Sequence, residues 1–450
     1  MTQLGEAVAR YHKIIESEPH RSSGWTDQLR EQLAARDLIL NGRPVTPVLR
    51  PHFLSRRQYT NLVRSAEALG SAIDRVKKLA LSTPALLQRM ELLPGEKMLA
   101  QLDPGYAWTS VASLLDVQVN NGSLRVLGAS ASLPLRVAVG EALADLFLEQ
   151  APMKEFRKKV GVSKCGGVKP LVAAMLKTYR EFGGKAKPGV AFLDLRQPFR
   201  TAETLERELL AAAFQRAGYE ARVVTPEQLE YRDGALRTGE QTINLLFRCV
   251  RAHDFLLRFD LNHALVRACR DGAVCLVNSF QSELGRKRSL FHLLTDDTVT
   301  ASFPAEEKRA IRENVPWTRV VAAGRTSWRD QTVDLPEFIL RNREKLALRP
   351  NDDAQELPEV DGGRSDGAAW DRAVRMALRN SYVVQERIEP CVVPFPVDVY
   401  GETAIRDMLV DVRPHSFLGR VHGCGSRVAP AQGASGALTG LAPALIVEPR

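Results

Sequence analysis

The sequence predicts a mixed fold, α+β with an α/β part: a helical N-terminal region, a small doubly wound α/β domain, and a C-terminal module of strands around a helix. Three observations carry that prediction. Up to about residue 92 the apolar residues recur at helical spacing, and after Gly183-Gly184 the rhythm changes to strand, helix, strand. Between Leu346 and Pro390 a strand, an acidic loop, a helix and a second strand follow one another, an order that can hold a nucleotide.

Taken in order, helical patterns cover 4–15, 25–38, 57–79 and 84–92, broken once by Pro44, Pro47 and Pro51, and Ser55 is placed to cap the long third helix. Strands at 115–119 and 124–127, joined through Asn120-Asn121-Gly122, predict a hairpin; this turn also accounts for the Asn121-Gly122-Ser123 sequon. A helix at 138–148 and a basic helical stretch at 154–159 follow. A strand at 190–193, a helix at 203–217 and a strand at 221–224 imply a right-handed crossover between parallel strands. Strands at 243–247 and 273–277 follow, the first after a hairpin turned at Asp233-Gly234, and then helices at 286–294 and 305–312. No GxGxxG follows the strand at 190–193, so nothing local argues for a dinucleotide.

Farther on, the strand 346–348 is expected to end at Arg349-Pro350, before a loop holding Asn351, Asp352, Asp353, Glu356, Glu359 and Asp361. Trp370, Ala373, Val374 and Ala377 mark a helix over 368–378, and a strand at 382–384 ends on Gln385-Glu386. The tail is strand-like at 408–410, 417–421 and 444–447. The expected division is a helical region 1–114, a hairpin and helices 115–185, a small α/β domain 186–300 and a C-terminal module 301–450.

With 450 residues and 44% hydrophobic content, the chain can bury more than one core. The net charge of +9 is spread without blocks, aromatics are 6%, and no nucleic-acid-binding signature occurs; a nucleic-acid partner is not expected. Six cysteines without a CxxC pair suit a reducing compartment, and no signal-peptide core or eighteen-residue apolar run is found. A cytoplasmic protein without a membrane partner is therefore expected.

Walker A and HExxH motifs are absent. His415, His422 and Cys424 lie close in sequence but read as incidental, and His253-Asp254 reads as a polar pair at a helix start. Gly363-Arg364-Ser365-Asp366-Gly367 fits GxSxG but has no apolar strand before it, as a nucleophile elbow requires. What remains are cations and carboxylates at strand ends: Arg286, Lys287, Arg288, Arg349, Asp352, Asp353, Asp411 and Arg427. Phosphoryl transfer asks for such groups, cations on a triphosphate and carboxylates on magnesium.

Several stretches together resemble the circularly permuted ATP-grasp family, in the bacterial branch related to glutathionylspermidine synthetase and glutathione synthetase. They are Asn278-Ser279-Phe280 through Lys287, Val315-Pro316-Trp317-Thr318-Arg319, Arg349-Pro350-Asn351-Asp352-Asp353, Trp370, Tyr382-Val383-Val384-Gln385-Glu386-Arg387, residues 408–411, and Gly425-Ser426-Arg427. The resemblance implies an ATP-grasp module that clamps ATP between two sheets, with ATP and magnesium as cofactors. It also implies small-molecule carboxylate and amine substrates joined through an acyl phosphate. By position it assigns Lys287 and Arg349 to the phosphates, Gln385 and Glu386 to adenine and ribose, and Asp353 and Asp411 to magnesium. Arg248 and Arg427 are assigned to the substrate or transferred phosphate.

The chain also departs from the family. Arg349 replaces a lysine, and Ala354-Gln355-Glu356 replaces a Tyr-Gly-Gly phosphate loop. A glutamate about 4 Å from a phosphate costs on the order of 4 kcal/mol at an effective dielectric near 20. Gly128 and Ser130 stand where the family has a Glu-x-Asn motif, and the run after Arg427 is eroded to Gln432-Gly433-Ala434-Ser435-Gly436. These losses predict a divergent member with weakened or lost ligase activity, a pseudoenzyme partnering an active paralogue; the alternative is a working ATP- and magnesium-dependent carboxylate-amine ligase.

Overall fold

The structure is a computed structural model describing residues 2–449 except 121–122, 132–135, 198–199, 330, 353–356, 400–401 and 433–437. Its largest element is an antiparallel-rich sheet in the order His52–Ser55, Gly440–Pro449, Arg420–Pro430, Glu402–Phe417, Ala112–Asn120, Ser123–Ser130. Val392–Val399 adds to Glu402–Phe417, and Val160–Lys164 to Gly440–Pro449. Alternation puts Val117, Val410, Val412 and Val428 on one face, against Leu62, Ala66, Leu69 and Val76 of the helix Arg56–Ser82. That helix begins where the sequence places its cap: Ser55 and Gln58 form a reciprocal capping box.

A four-stranded parallel sheet runs Cys275–Val277, Leu245–Arg248, Val190–Leu193, Ala221–Val224, with Ala202–Arg216 as the crossover helix between its last two strands. A second, smaller antiparallel sheet orders Thr318–Val320, Tyr382–Glu386, Leu346–Pro350 and Val360–Asp361. The helix Gly367–Ala377 buries Trp370, Ala373, Val374 and Ala377 beside it, and the Trp370 indole donates to the Ile339 carbonyl at 3.1 Å.

Several observed elements differ from the expected ones, whereas Pro350 ends its strand as expected. It pairs opposite Tyr382 at a position beyond the short strand Val360–Asp361, so its missing N–H interrupts no ladder on that side. Within the expected strand 417–421, residues 418–419 form a turn between Glu402–Phe417 and Arg420–Pro430, with Leu418 and Gly419 at positive φ and the Leu418 amide donating to the Val111 carbonyl at 2.8 Å. Strands Val160–Lys164 and Val392–Val399 were not expected; Pro394 and Pro396 disguise the second, which lies at an edge where proline is tolerated. Among the described residues no helix is long and apolar enough to cross a membrane.

Candidate functional site

The opposite face of the large sheet carries charge. On Glu402–Phe417, Val410 and Val412 face the core, so Asp411 and Arg413 project from the other side. Arg413 Nε meets Asp116 Oδ1 at 2.6 Å, the Gln118 amide donates to Asp411, and Arg427 lies directly opposite Asp411 in register. Asp411 therefore sits among Asp116, Gln118, Arg413 and Arg427. Its carboxyl is pushed above the usual range, first by burial and then by the Asp116 charge, with Arg427 and Arg413 opposing the shift. Arg427 itself is exposed. Gly128 lies across from Asp116, where a Cβ would come 3.6 Å from Asp116 Oδ2. A small cavity of about 20 Å³ adjoins this face, lined by Arg413, His415, Gly425 and, from the helix Val137–Glu149, Gly140.

The second group of residues gathers at the small sheet. Lys287 follows the 3-10 segment Phe280–Arg286, and its side chain is 4% exposed. Its ammonium contacts Asp352 at 2.6 Å and Glu96 at 2.9 Å. Burial alone would lower the lysine pKa; the Asp352 and Glu96 charges outweigh it and the net shift is upward. Glu96 is itself tied to a helix start, accepting from the Leu93 amide at 2.9 Å. Asn351 completes the local scaffold: its side chain accepts from the Ser289 amide at 2.8 Å and donates to the Met90 carbonyl at 3.1 Å.

Arg349 lies 3.5 Å from Glu359, a carboxylate shared with Arg288, and its Nε is buried without a hydrogen bond among the described residues. Gln385 is buried, donating to Thr318 Oγ1 at 3.0 Å while its Oε1 accepts from no described residue. The Glu386 amide donates to the Trp317 carbonyl at 2.9 Å and the Arg387 amide to the Lys345 carbonyl at 2.8 Å. The Glu386 carboxylate lies 3.8 Å from Arg329. Asp353 and Ala354-Gln355-Glu356 lie outside the described residues.

Arg248 ends a parallel strand and is almost fully buried. Its Nε donates to the Asn278 carbonyl at 3.1 Å and its terminal nitrogens to the Ser279 and Val250 carbonyls, Ser282 Oγ and Glu283. All five N–H groups of the guanidinium are thereby committed, and it stacks 5.0 Å from the Phe280 ring centroid. Arg248 thus fastens the Asn278-Ser279-Phe280 segment to the parallel sheet.

Structure thus groups the proposed residues in three places: Asp411 with Arg427, Lys287 with Arg349 and the Gln385-Glu386 strand end, and Arg248 apart. Asp116, Gln118, Arg413 and Glu96 belong to these clusters and were not singled out from sequence. Strict alternation in Leu115-Asp116-Val117-Gln118-Val119 and Val410-Asp411-Val412-Arg413 could have flagged the first three; nothing local could have flagged Glu96. No cluster of three or more metal-ligating side chains exists among the described residues. Asp116 and Asp411 together offer two carboxylates, which suits magnesium only when phosphate oxygens or water complete its octahedron.

One large antiparallel sheet with a charged face, a small antiparallel sheet and a four-stranded parallel sheet define a mixed α/β protein. Its architecture is similar to a glutathione synthetase-like effector from Globodera pallida, solved in apoform, with a TM-score of 0.63 over 96% of this chain and 98% of that one at 12% identity. A putative gamma-glutamylcysteine synthetase from Methylobacillus flagellatus KT superposes loosely, with a TM-score of 0.44 over 87% of each chain at 12% identity. No protein-family model and no curated protein matches the sequence. The first likeness establishes a glutathione synthetase-like fold.

Proposed function

We propose that this chain is a divergent, circularly permuted ATP-grasp protein whose hold on ATP and magnesium is weakened or lost, and that it acts as a partner or scaffold beside an active paralogue. One observation carries the reading: Lys287, the cation assigned to the phosphates, is buried and paired with both Asp352 and Glu96. A triphosphate would have to draw Lys287 away from two buried carboxylates that are 8% and 1% exposed, leaving Asp352 to Arg286 at 3.9 Å and Glu96 with no cation among the described residues. Two further features support it. The amides of Glu386 and Arg387 are spent within the sheet, and Glu356 replaces a glycine in the phosphate loop.

The alternative, an active carboxylate-amine ligase, draws support from the face of the large sheet. There Asp116 and Asp411 repel one another, a strain a divalent cation would relieve, and Arg427 is exposed beside them. In that reading ATP supplies a phosphoryl group to a substrate carboxylate oxygen and leaves as ADP. Arg427 steadies the acyl phosphate while an amine nitrogen bonds to the carbonyl carbon and phosphate departs with the C–O electron pair. Lys287 and Arg349 hold phosphates, Gln385 and Glu386 the nucleoside, and Asp353 with Asp411 the metal.

Calorimetric titration of ATP, with and without magnesium, separates the two. The expected result is no saturable heat at millimolar ATP. Saturable, magnesium-dependent binding that disappears in Lys287→Ala overturns the proposal in favour of the ligase. Replacing Ala354, Gln355 and Glu356 with Tyr, Gly and Gly is expected to strengthen any residual binding, since it removes the like charge from the loop.

A further inference from the structure

A second polar site lies away from both clusters, on the helix Arg56–Ser82. Lys77 is buried there with 2% exposure, and its ammonium donates to Ser110 Oγ at 2.7 Å. A lysine ammonium has three donors, and among the described residues this is the one hydrogen bond it makes. The nearest carboxylate, Asp74, is engaged elsewhere: it pairs with Lys78 at 2.8 Å and accepts from the amide and hydroxyl of Thr109. Lys77, Lys78 and Asp74 together leave one positive charge uncompensated.

A cavity of about 40 Å³ opens against this lysine, lined by Asp74, Lys77, Ser110 and Ser130 along with Trp108 and Ser416. Ser130 Oγ is buried and has no hydrogen-bond partner among the described residues. Roughly 10–15 Å³ of such space accommodates one water-sized sphere, so the cavity has room for about three. A buried polar group left unpaired costs about 1–3 kcal/mol, and a buried ammonium more. The site therefore combines unspent N–H donors, an unpartnered hydroxyl and a net positive charge in a narrow space.

We propose that this cavity binds a small monovalent anion, a halide or the carboxylate group of a short acid, between the Lys77 ammonium and the Ser130 hydroxyl. The cavity excludes larger anions by volume, and the single excess charge sets the valence. Burial, opposed by the Asp74 charge and helped by Lys78, holds the Lys77 pKa down at about 8, so the cationic form prevails at pH 7 and fades above pH 8. The inference does not rest on whether ATP binds: Lys77 and Ser110 carry no nucleotide assignment, and Ser130 stands where the Glu-x-Asn motif is already lost.

Thermal unfolding of the full chain tests it, at constant ionic strength, in the sodium salts of chloride, formate, acetate and the bulky gluconate, at pH 7 and pH 9. Expected is a rise in Tm on the order of a few degrees in one or more of the small anions over gluconate at pH 7, shrinking at pH 9. A response confined to chloride identifies a halide site; one confined to formate and acetate identifies a carboxylate site. Lys77→Met and, as a milder change less prone to disturb folding, Ser130→Ala are both expected to reduce the response. Equal Tm values in all four salts, as water alone in the cavity would give, or an undiminished response in Ser130→Ala, overturns the proposal.

Discussion

The face of the large sheet and the cradle at the small sheet use similar residues to opposite ends. At the cradle, Lys287 is enclosed by Glu96 and Asp352, so cation and carboxylates satisfy one another and the arrangement fastens the N-terminal helices to the loop after Pro350. On the sheet face, burial and the neighbouring Asp116 charge raise the cost of ionising Asp411 while Arg427 stands in solvent. The first has its charges satisfied within the protein; the second keeps charges that a ligand could use. The lesson is that residue type alone does not mark a binding site: the same lysine is a ligand or a rivet according to what faces it.

The largest effect that tests this contrast is expected from Lys287→Ala. Removing the cation strands the buried Glu96 carboxylate and leaves Asp352 to Arg286 at 3.9 Å, and a loss of about 3–5 kcal/mol of folding stability is expected in denaturant titration. A loss under about 1 kcal/mol would break the comparison, because it would mean the triad is not structural.

Asp411→Asn is expected to act in the other direction. The folded-state pKa of Asp411 lies above its unfolded value, so the fold favours the protonated carboxyl. That contribution is present below the unfolded pKa and is lost as pH rises through the folded one. The neutral, still hydrogen-bonding asparagine should therefore be more stable than aspartate at neutral pH, with the advantage vanishing as pH falls through the carboxylate range. If the chain holds magnesium weakly, the gap measured at pH 7 is unchanged by millimolar magnesium; closure of the gap would favour the ligase reading. The smallest effect is expected from Arg427→Ala, within about 0.5 kcal/mol of wild type, because the side chain is exposed and its field is screened.

Much of the architecture was legible because it rests on local signals. The capping box at Ser55, the crossover helix after Val190–Leu193 and the amphipathic helix bearing Trp370 each follow from periodicity and end chemistry over a dozen residues. The strand Val392–Val399 was hidden because its prolines deny the local signal, and only the edge position it takes makes them tolerable. The candidate site was half legible. Asp411, Arg427, Lys287 and Arg349 were singled out by charge and resemblance, whereas Glu96 lies 191 residues before its partner Lys287, a separation across which no sequence pattern reaches.

By itself the sequence determined many of the secondary elements, the mixed class of the fold and the supply of cations and carboxylates, since these depend on side-chain chemistry and short-range spacing. Tertiary structure alone decided which of those charges meet. It set Glu96 and Asp352 against Lys287, Asp116 beside Asp411, and five acceptors around Arg248. The physical reason is that the worth of a charge depends on burial and on its neighbours within a few ångströms, and both are properties of packing.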